Sequence, residues 1–579
     1  MDALRGVSFE TVEAAAAVDP ARMDVAMFVG LVDGLEPGRP VVVQSSDDLA
    51  ALGASPTRLD RIAGVTGAAL PDPLVLEPAT RSFSVIVDGV ERRVELPTNA
   101  VSLDDLASLL NADPAAPYVA SVVAQGLARH LHVARREPRR PGRLTVRANP
   151  ALGFPVAAGA VSAPIGATVP RAVDAFFRGG GRRAWVVPVG APGPYLASRT
   201  ARLGALLRLL APDVPPELPA TLDEGVAASL WLPPLARRRD PPDRWHGPAA
   251  ALGIEEAFLL CLPDLVELTS PLPDAPPGAL PPDRGPPEAF APCLVPSPAA
   301  FASHAPGLPP PAADRSGLLL WRRVVRHLLL WLAAEAPDRM LLLSVPPLLP
   351  EPLPGSGEAA VASLLEGLPE EALGLCQLVQ PWLSTPDGAD LPGALVPPEA
   401  VLAGVLGGHA LTSGAFLSAA GTPVAATVLA PALSDPDDRT ARFETGAAGT
   451  LLAADRTPSH DPAARHAAVR RLTALLLRSA ARLGAAAVFE PSGQRLWRDI
   501  EIRLGLLLER VFAAGGLRGR DARDAFFVRC NRSTMTPADI ENGRVIAEVG
   551  FAPALPVERV RVRLALDGSG LASLPGGAP

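Results

Sequence analysis

The residues that could do chemistry are thinly spread along this chain. His130 and His132 stand two apart in a strand-like run, so two imidazoles could share one face and begin a metal site. No cysteine or second histidine pair stands nearby to complete a ligand set. Asp435, Asp437 and Asp438 crowd an acidic loop, but the glycine and glutamate of a calcium loop do not follow, so a solvated turn is expected. Gly179-Gly180-Gly181 could cradle a phosphate only with a helix N-terminus after it. Here the glycines follow a predicted helix and precede a predicted strand, and they read as a helix stop. No G-x-S-x-G elbow occurs, and a chain without lysine cannot hold G-x-x-x-x-G-K-[ST]. Cys261, Cys293, Cys376 and Cys530 lack the spacing of a zinc site or a disulfide framework and read as small buried apolar residues. The expectation is a non-enzyme with no catalytic residue, metal or cofactor. An α/β enzyme with an unrecognised nucleophile and base is the rival from another class.

The whole composition points the same way. At 579 residues the chain has room for several domains, and 48% hydrophobic residues can fill large cores. The 67 prolines are far above the usual share, which places much of the chain in loops and linkers. Every basic side chain other than histidine is arginine, a feature of GC-rich coding from which no function follows. A net charge of -8 disfavours a general nucleic-acid binder. Leu318 to Ala334 is the most apolar run, but Arg322, Arg323, Arg326 and His327 interrupt it, which suits a buried helix and not a membrane span. The N-terminus has no apolar stretch behind basic residues, so folding in the cytoplasm and no direct membrane insertion are expected.

The predicted elements divide the chain into five parts. Residues 1–24 read as an arm in which Val7 and Phe9 alternate with polar neighbours as a short strand. Residues 25–53 and 167–455 read as one discontinuous α/β core, from the buried strand DVAMFVGLV through PVVVQS and a Ser46-capped helix to the alternation of LLLWRRVVRHLLLWLAAEAP with MLLLSVP. EEAFLLCLPDLVEL within it reads as helix or strand leading to an acidic loop, and Leu272 to Pro311 as a proline-rich surface loop. Residues 54–166 change character: FSVIVDGVERRVEL alternates around Asp88-Gly89 as a hairpin, and further strands follow, so an inserted β-rich domain is expected. Residues 456–566 form a C-terminal α+β domain. Its amphipathic helix carries Leu496, Ile500, Leu504, Leu507 and Val511 on one face and stops at Gly515-Gly516. A strand from Ala525 to Cys530 follows, then a short helix opened by Thr536-Pro537, an Asn542-Gly543 turn, and strands from Arg544 to Phe551 and Glu558 to Leu566. Residues 567–579 read as a disordered tail.

The C-terminal part resembles the C-terminal domain of contractile tail sheath proteins, the sheaths of contractile phage tails and bacterial contractile injection systems. The matching pieces are VFEP at Val488 to Pro491, RLW at Arg495 to Trp497, AFFVRCNRSTMTPADIENGR at Ala525 to Arg544, EVGFAP at Glu548 to Pro553 and P-x-E-x-V at Pro556 to Val560. Ala26 to Gly53, FFRGGGRRAWVV, QLVQPWLSTPDG and PPEAVLAGVLGGHALTSGAFLSAAGTPV resemble the family's core. Two departures mark a divergent branch: Pro188 stands where the family often has arginine, and APALSDPDDR stands near the place of a lysine-containing motif.

The resemblance implies a tail-sheath-like α/β core with the insertion facing outward and extended strand arms at both ends. It implies a structural subunit that stacks as six-subunit rings around an inner tube and contracts to drive the tube through a target envelope. A minor paralogue at the baseplate or cap end is the alternative within the family. The implied partners are further copies of the chain, an inner tube protein, and baseplate and terminator or cap proteins, in a phage tail or tail-like particle that is assembled in the cytoplasm and can be released. Val7 and Phe9 at one end and Val560, Val562 and Leu564 at the other are the implied inter-subunit strand arms. The candidates for facing the tube are Arg498, Glu501 and Arg503 on the long helix and Asp539 and Glu541 on the short one.

Overall fold

The computed structural model describes residues 22–97, 99–125, 128–137, 141–211, 223–272, 308–347, 360–428, 433–447, 449–487, 493–555, 559–566 and 572–573. Val7 and Phe9, the predicted N-terminal strand, lie outside them, as do Glu558 and the tail from residue 574.

The centre is a nine-stranded sheet. In spatial order its strands are Pro423–Val424, Gly449–Ala454, Ala441–Gly446, Cys376–Gln380, Met340–Ser344, Leu259–Cys261, Ala26–Gly30, Ala184–Pro188 and Val41–Val43. The six from Ala441–Gly446 to Ala184–Pro188 are parallel, and antiparallel strands close both sides. Parallel strands covered on both faces must be apolar throughout, and AMFVG and MLLLS are buried at every position. The two-residue period of a strand then splits one run between two cores. Phe28 packs on the side of the helices Thr168–Arg178 and Pro398–Thr412, while Met27 and Val29 pack on the side of Arg199–Leu210 and Arg315–Glu335.

The glycine run ends the helix Thr168–Arg178, as its order in the sequence predicts. Gly180 takes φ +111°, which favours glycine. The run also meets a close helix crossing: a Cβ on Gly179 would stand 3.1 Å from the Gly404 Cα, and one on Gly404 2.4 Å from the Phe176 carbonyl oxygen. Pro188 occupies the last position of its strand, opposite Gly30, beyond the residues that pair with Val41–Val43. There its missing amide breaks no ladder on that side.

The insertion is joined to the core through two short antiparallel strands, Thr57–Leu59 and Pro164–Gly166. Beyond this neck lie a four-stranded and a three-stranded sheet and the helix Leu103–Leu110. Phe83, Tyr118, Leu131, Val146 and Phe154 fill a separate core between them. The Asp88-Gly89 hairpin forms with positive φ at both residues (49° and 85°), the geometry that favours this dipeptide.

EEAFLLCLPDLVEL, read as helix or strand, holds the strand Leu259–Cys261 and the short helix Leu265–Thr269, and its Asp264 and Glu267 are buried; most of the acidic loop expected after it lies outside the described residues. One expectation needs correction. The acidic turn at Asp435 is not simply solvated. The Asp435 side chain is 2% exposed and accepts hydrogen bonds from the Arg439 amide and the Thr440 hydroxyl.

Candidate assembly surface

The C-terminal domain is built on two helices, Ala467–Ala487 and Gln494–Ala513, against an antiparallel sheet in the order Phe526–Arg529, Val545–Phe551, Val560–Leu566, Ala572–Ser573. The first helix is tied to the central sheet by arginines. Arg471 donates to Asp455 at 2.6 Å and to the Ala415 carbonyl at 2.7 Å, and Gln377 Nε2 and the Ala419 amide also donate to Asp455, each at 3.0 Å. Arg478 donates to the Glu255 carbonyl at 2.6 Å. These donors hold the Asp455 carboxyl down at about 2, against the opposing effect of its complete burial.

The second helix buries Leu496, Trp497, Ile500, Leu504, Leu508 and Val511. Leu507, predicted on that face, is only partly buried against it. The stop at Gly515 is a full Schellman motif: the Gly516 amide bonds the Val511 carbonyl and the Gly515 amide the Phe512 carbonyl, both at 2.9 Å. The outer face carries exposed Arg498 and Arg503, with Ile502 and Leu506 between the charges. Arg503 pairs with Asp499 one turn back at 2.8 Å.

The predicted tube-facing residues are not equivalent in their surroundings. Arg498 and Glu501 line a groove of ≈ 820 Å³ between this helix and the edge strand Phe526–Arg529, together with Trp497, Ile502, Val528 and Arg532. Arg503, Asp539 and Glu541 do not line it. Asp539 closes a capping box with Thr536 and lies 3.5 Å from Arg544, so it holds the short helix Pro537–Glu541 in place. The Thr536 hydroxyl and amide keep its carboxyl below the usual range. Glu541 is exposed at the end of that helix.

Val560, Val562 and Leu564 alternate inward from Arg559, Arg561 and Arg563, as the period-two pattern predicts. In the single chain this strand pairs over all seven residues with Val545–Phe551 of its own chain, with Val562 opposite Val549. The implied exchange of this strand between copies concerns a second copy of the chain and is taken up as a proposal below. The pairing within one chain follows from the pattern itself: Val562, Leu564 and Leu566 complete the apolar layer over Ala467–Ala487. On its other side, among the described residues, Ala565 and Leu566 pair with Ala572–Ser573. Its first residues border a second groove, of ≈ 510 Å³, together with Val469, Arg470 and Thr473. A groove therefore borders the sheet beside Phe526–Arg529 and beside the first residues of Val560–Leu566.

His130 and His132 do not converge. His130 Nδ1 lies 3.0 Å from the Gly67 carbonyl and His132 Nδ1 2.9 Å from the Thr66 hydroxyl. Among the described residues no group of three or more His, Cys, Asp or Glu side chains is placed to hold a metal ion. Cys261, Cys376 and Cys530 are buried free thiols, and burial pushes Cys376 and Cys530 up to about 12. Among the described residues no helix is long and apolar enough to cross a membrane. Sequence reasoning passed over the buried residues Arg58, Asp264, Glu267 and Glu399 at the carboxyl ends of the parallel strands; Pro398-Glu399 opening a helix was the one local signal.

No family model and no curated protein matches the chain. Solved structures do. A chain in the cryo-EM structure of the anti-feeding prophage (AFP) baseplate in contracted state is 16% identical over 97% of both chains, with a TM-score of 0.50. A chain of the AFP helical sheath in contracted state is 16% identical over 97% of this chain and 98% of its own, with a TM-score of 0.40. The sheath tail protein from Desulfitobacterium hafniense is 10% identical over 97% of this chain and all of its own, with a TM-score of 0.38. Against a chain of the 6-fold symmetrised AFP baseplate the match spans only 64% of that chain and 41% of this one. The match at a TM-score of 0.50 carries the conclusion: over 97% of both chains, this chain has the fold of that chain of the contracted AFP baseplate.

Proposed function

We propose that the chain is a structural sheath subunit of a contractile injection apparatus. It stacks as six-subunit rings around an inner tube and shortens to drive the tube through a target envelope. The observation that supports this best is the fold shared over 97% of both chains with a component of a contracted baseplate. The C-terminal sheet fits the role because a strand added to a sheet edge, such as that of Phe526–Arg529, joins chains through backbone hydrogen bonds. In this reading the segment around Val7 and Phe9 of one copy adds to the sheet of another. Val560, Val562 and Leu564 exchange between copies in the register they already use at home, because a swapped strand keeps the same contacts. The arginine-bearing face of Gln494–Ala513 and exposed Glu541 meet the tube, and the insertion faces outward.

A minor paralogue near the baseplate is the second reading, favoured by the baseplate origin of the structure matched at 0.50. Ultracentrifugation of the full chain co-produced with an inner tube protein of a contractile injection system tests the proposal. A sheath subunit pellets with the tube in large particles; a chain that stays in the supernatant as a monomer at every concentration overturns the proposal. Sedimentation only in the presence of baseplate proteins supports the second reading.

A further inference from the structure

Open α/β sheets bind ligands beyond the carboxyl ends of their strands, where the strand order reverses. In this chain the corresponding place, past Ala26–Gly30, Leu259–Cys261 and Met340–Ser344, is filled by the chain's own carboxyl groups. Asp264 is 3% exposed, and its Oδ2 accepts the Leu31 amide at 2.7 Å. Gly30 makes room for it, since a Cβ there would stand 2.5 Å from the same oxygen. Glu399, in the first turn of Pro398–Thr412, is 1% exposed, and its Oε2 has no hydrogen-bond partner.

The charged and titratable groups facing this pair come from every element around it. Glu267 on the Leu265–Thr269 helix is held by Arg58 of the neck, with Arg58 Nη1 2.7 Å from its carboxylate. Arg202 spends its donors on the carbonyls of Tyr195 and Pro271, at 2.6 and 2.8 Å. The Tyr195 ring lies under both guanidinium groups, and Cys261 ends the adjacent strand. Neither Asp264 nor Glu399 is close enough to a cation to form an ion pair among the described residues. A dry, unpaired carboxylate costs several kcal/mol or more, so such a group stays protonated.

We propose that Asp264 and Glu399 hold protons inside the core up to the neutral range, and that losing them as pH rises through it loosens the joint between the insertion's neck, the central sheet and the Pro398–Thr412 helix. Burial pushes Glu399 up to about 8, against the pull of the Ser344 amide and its own amide, with the charge of Asp264 adding a smaller upward push. Burial and then the charge of Glu267 push Asp264 up to about 7, against the pull of the Leu31 amide and Arg58. Glu267 itself stays below the usual range: burial opposes this, but Arg58 prevails. The Cys261 thiol and the Tyr195 hydroxyl are both raised by burial and stay neutral. In the unfolded chain the two carboxyls titrate near their ordinary values of 3.8 and 4.5. Between those values and the folded ones the folded state binds more protons, so stability falls as pH rises. The folding equilibrium drops by up to about tenfold per pH unit for each proton held, and the fall levels off above the folded values.

Unfolding of the full chain from mildly acidic to alkaline pH tests this, for the natural protein, Glu399→Gln and Asp264→Asn. The natural protein should lose stability with rising pH until about 8 and then level off. Glu399→Gln, which mimics the protonated acid, should flatten that fall and should be at least as stable above neutrality. Infrared spectra at neutral pH should show a protonated-carboxyl stretch that is reduced in Glu399→Gln. If that variant does not fold, the spectrum and pH slope of the natural protein decide. A spectrum without the stretch, or a variant with an unchanged slope, overturns the proposal.

Discussion

Asp455 is the residue through which the C-terminal helices grip the central sheet. Its side chain is fully buried and takes donors from Arg471, Gln377 and the Ala419 amide. Removing one partner of such a pair leaves a buried charge uncompensated, so Asp455→Ala should cost about 3 to 5 kcal/mol in denaturant unfolding. Its carboxyl is depressed to about 2 from 3.8, so its contribution is complete above the higher value and is lost as pH falls through the lower one. Asp455→Asn should therefore lose stability relative to the natural protein near neutrality, and the difference should narrow in strong acid. At the surface the expectation is opposite in kind. Arg498→Glu with Arg503→Glu should leave the unfolding midpoint nearly unchanged, because both side chains are exposed and the Arg503–Asp499 pair is solvated. The same double variant should recruit markedly less tube protein in co-sedimentation; unchanged recruitment removes this helix from the tube interface. The exposed residues were legible from helical periodicity. Asp455 was not, because nothing local tells a buried strand-end aspartate from a solvated one; its role depends on Arg471, sixteen residues away in the chain and brought back by the fold.

At the scale of elements, patterns with a short period were read well. The Gly515 stop, the Thr536-Pro537 helix, the Asp88-Gly89 hairpin and the buried parallel strands all form where local chemistry placed them. What escaped was pairing: Val560 to Leu566 reads as an amphipathic strand, but its partner is a non-local choice that periodicity leaves open. The neck of the insertion is also set by contacts distant in sequence, since Arg58 reaches Glu267 and the Asp60 amide bonds the Ala163 carbonyl. A deletion must keep both. Replacing residues 61–162 with a short Gly-Ser turn should leave a soluble core that still assembles, because Thr57–Leu59 and Pro164–Gly166 already lie side by side. Insoluble protein, or soluble protein that no longer assembles, would show that the insertion is part of the working core. Removing residues 1–14 should give soluble monomers with an unchanged unfolding midpoint that do not form large particles. Normal assembly from that truncation contradicts strand exchange through Val7 and Phe9.

For the molecule as a whole, the core and C-terminal domain share one continuous apolar cluster, from Phe28 and Val401 to Leu476, Leu504 and Val549. The insertion has its own. Under the proposed function, shortening comes from movement between copies, with the arginine-tied core and C-terminal domain travelling together. The fold class was legible because alternating helices and buried strands specify a parallel sheet with few alternatives. The proposed assembly rests on resemblance, because no local motif in the sequence specifies contacts between copies. Electron microscopy of the full chain purified with its tube protein tests the central claim most directly. The proposal predicts tubes of stacked six-fold rings surrounding the inner tube, with the C-terminal sheet innermost. Uniform discrete monomers, or particles in which the chain lies apart from the tube, would contradict it.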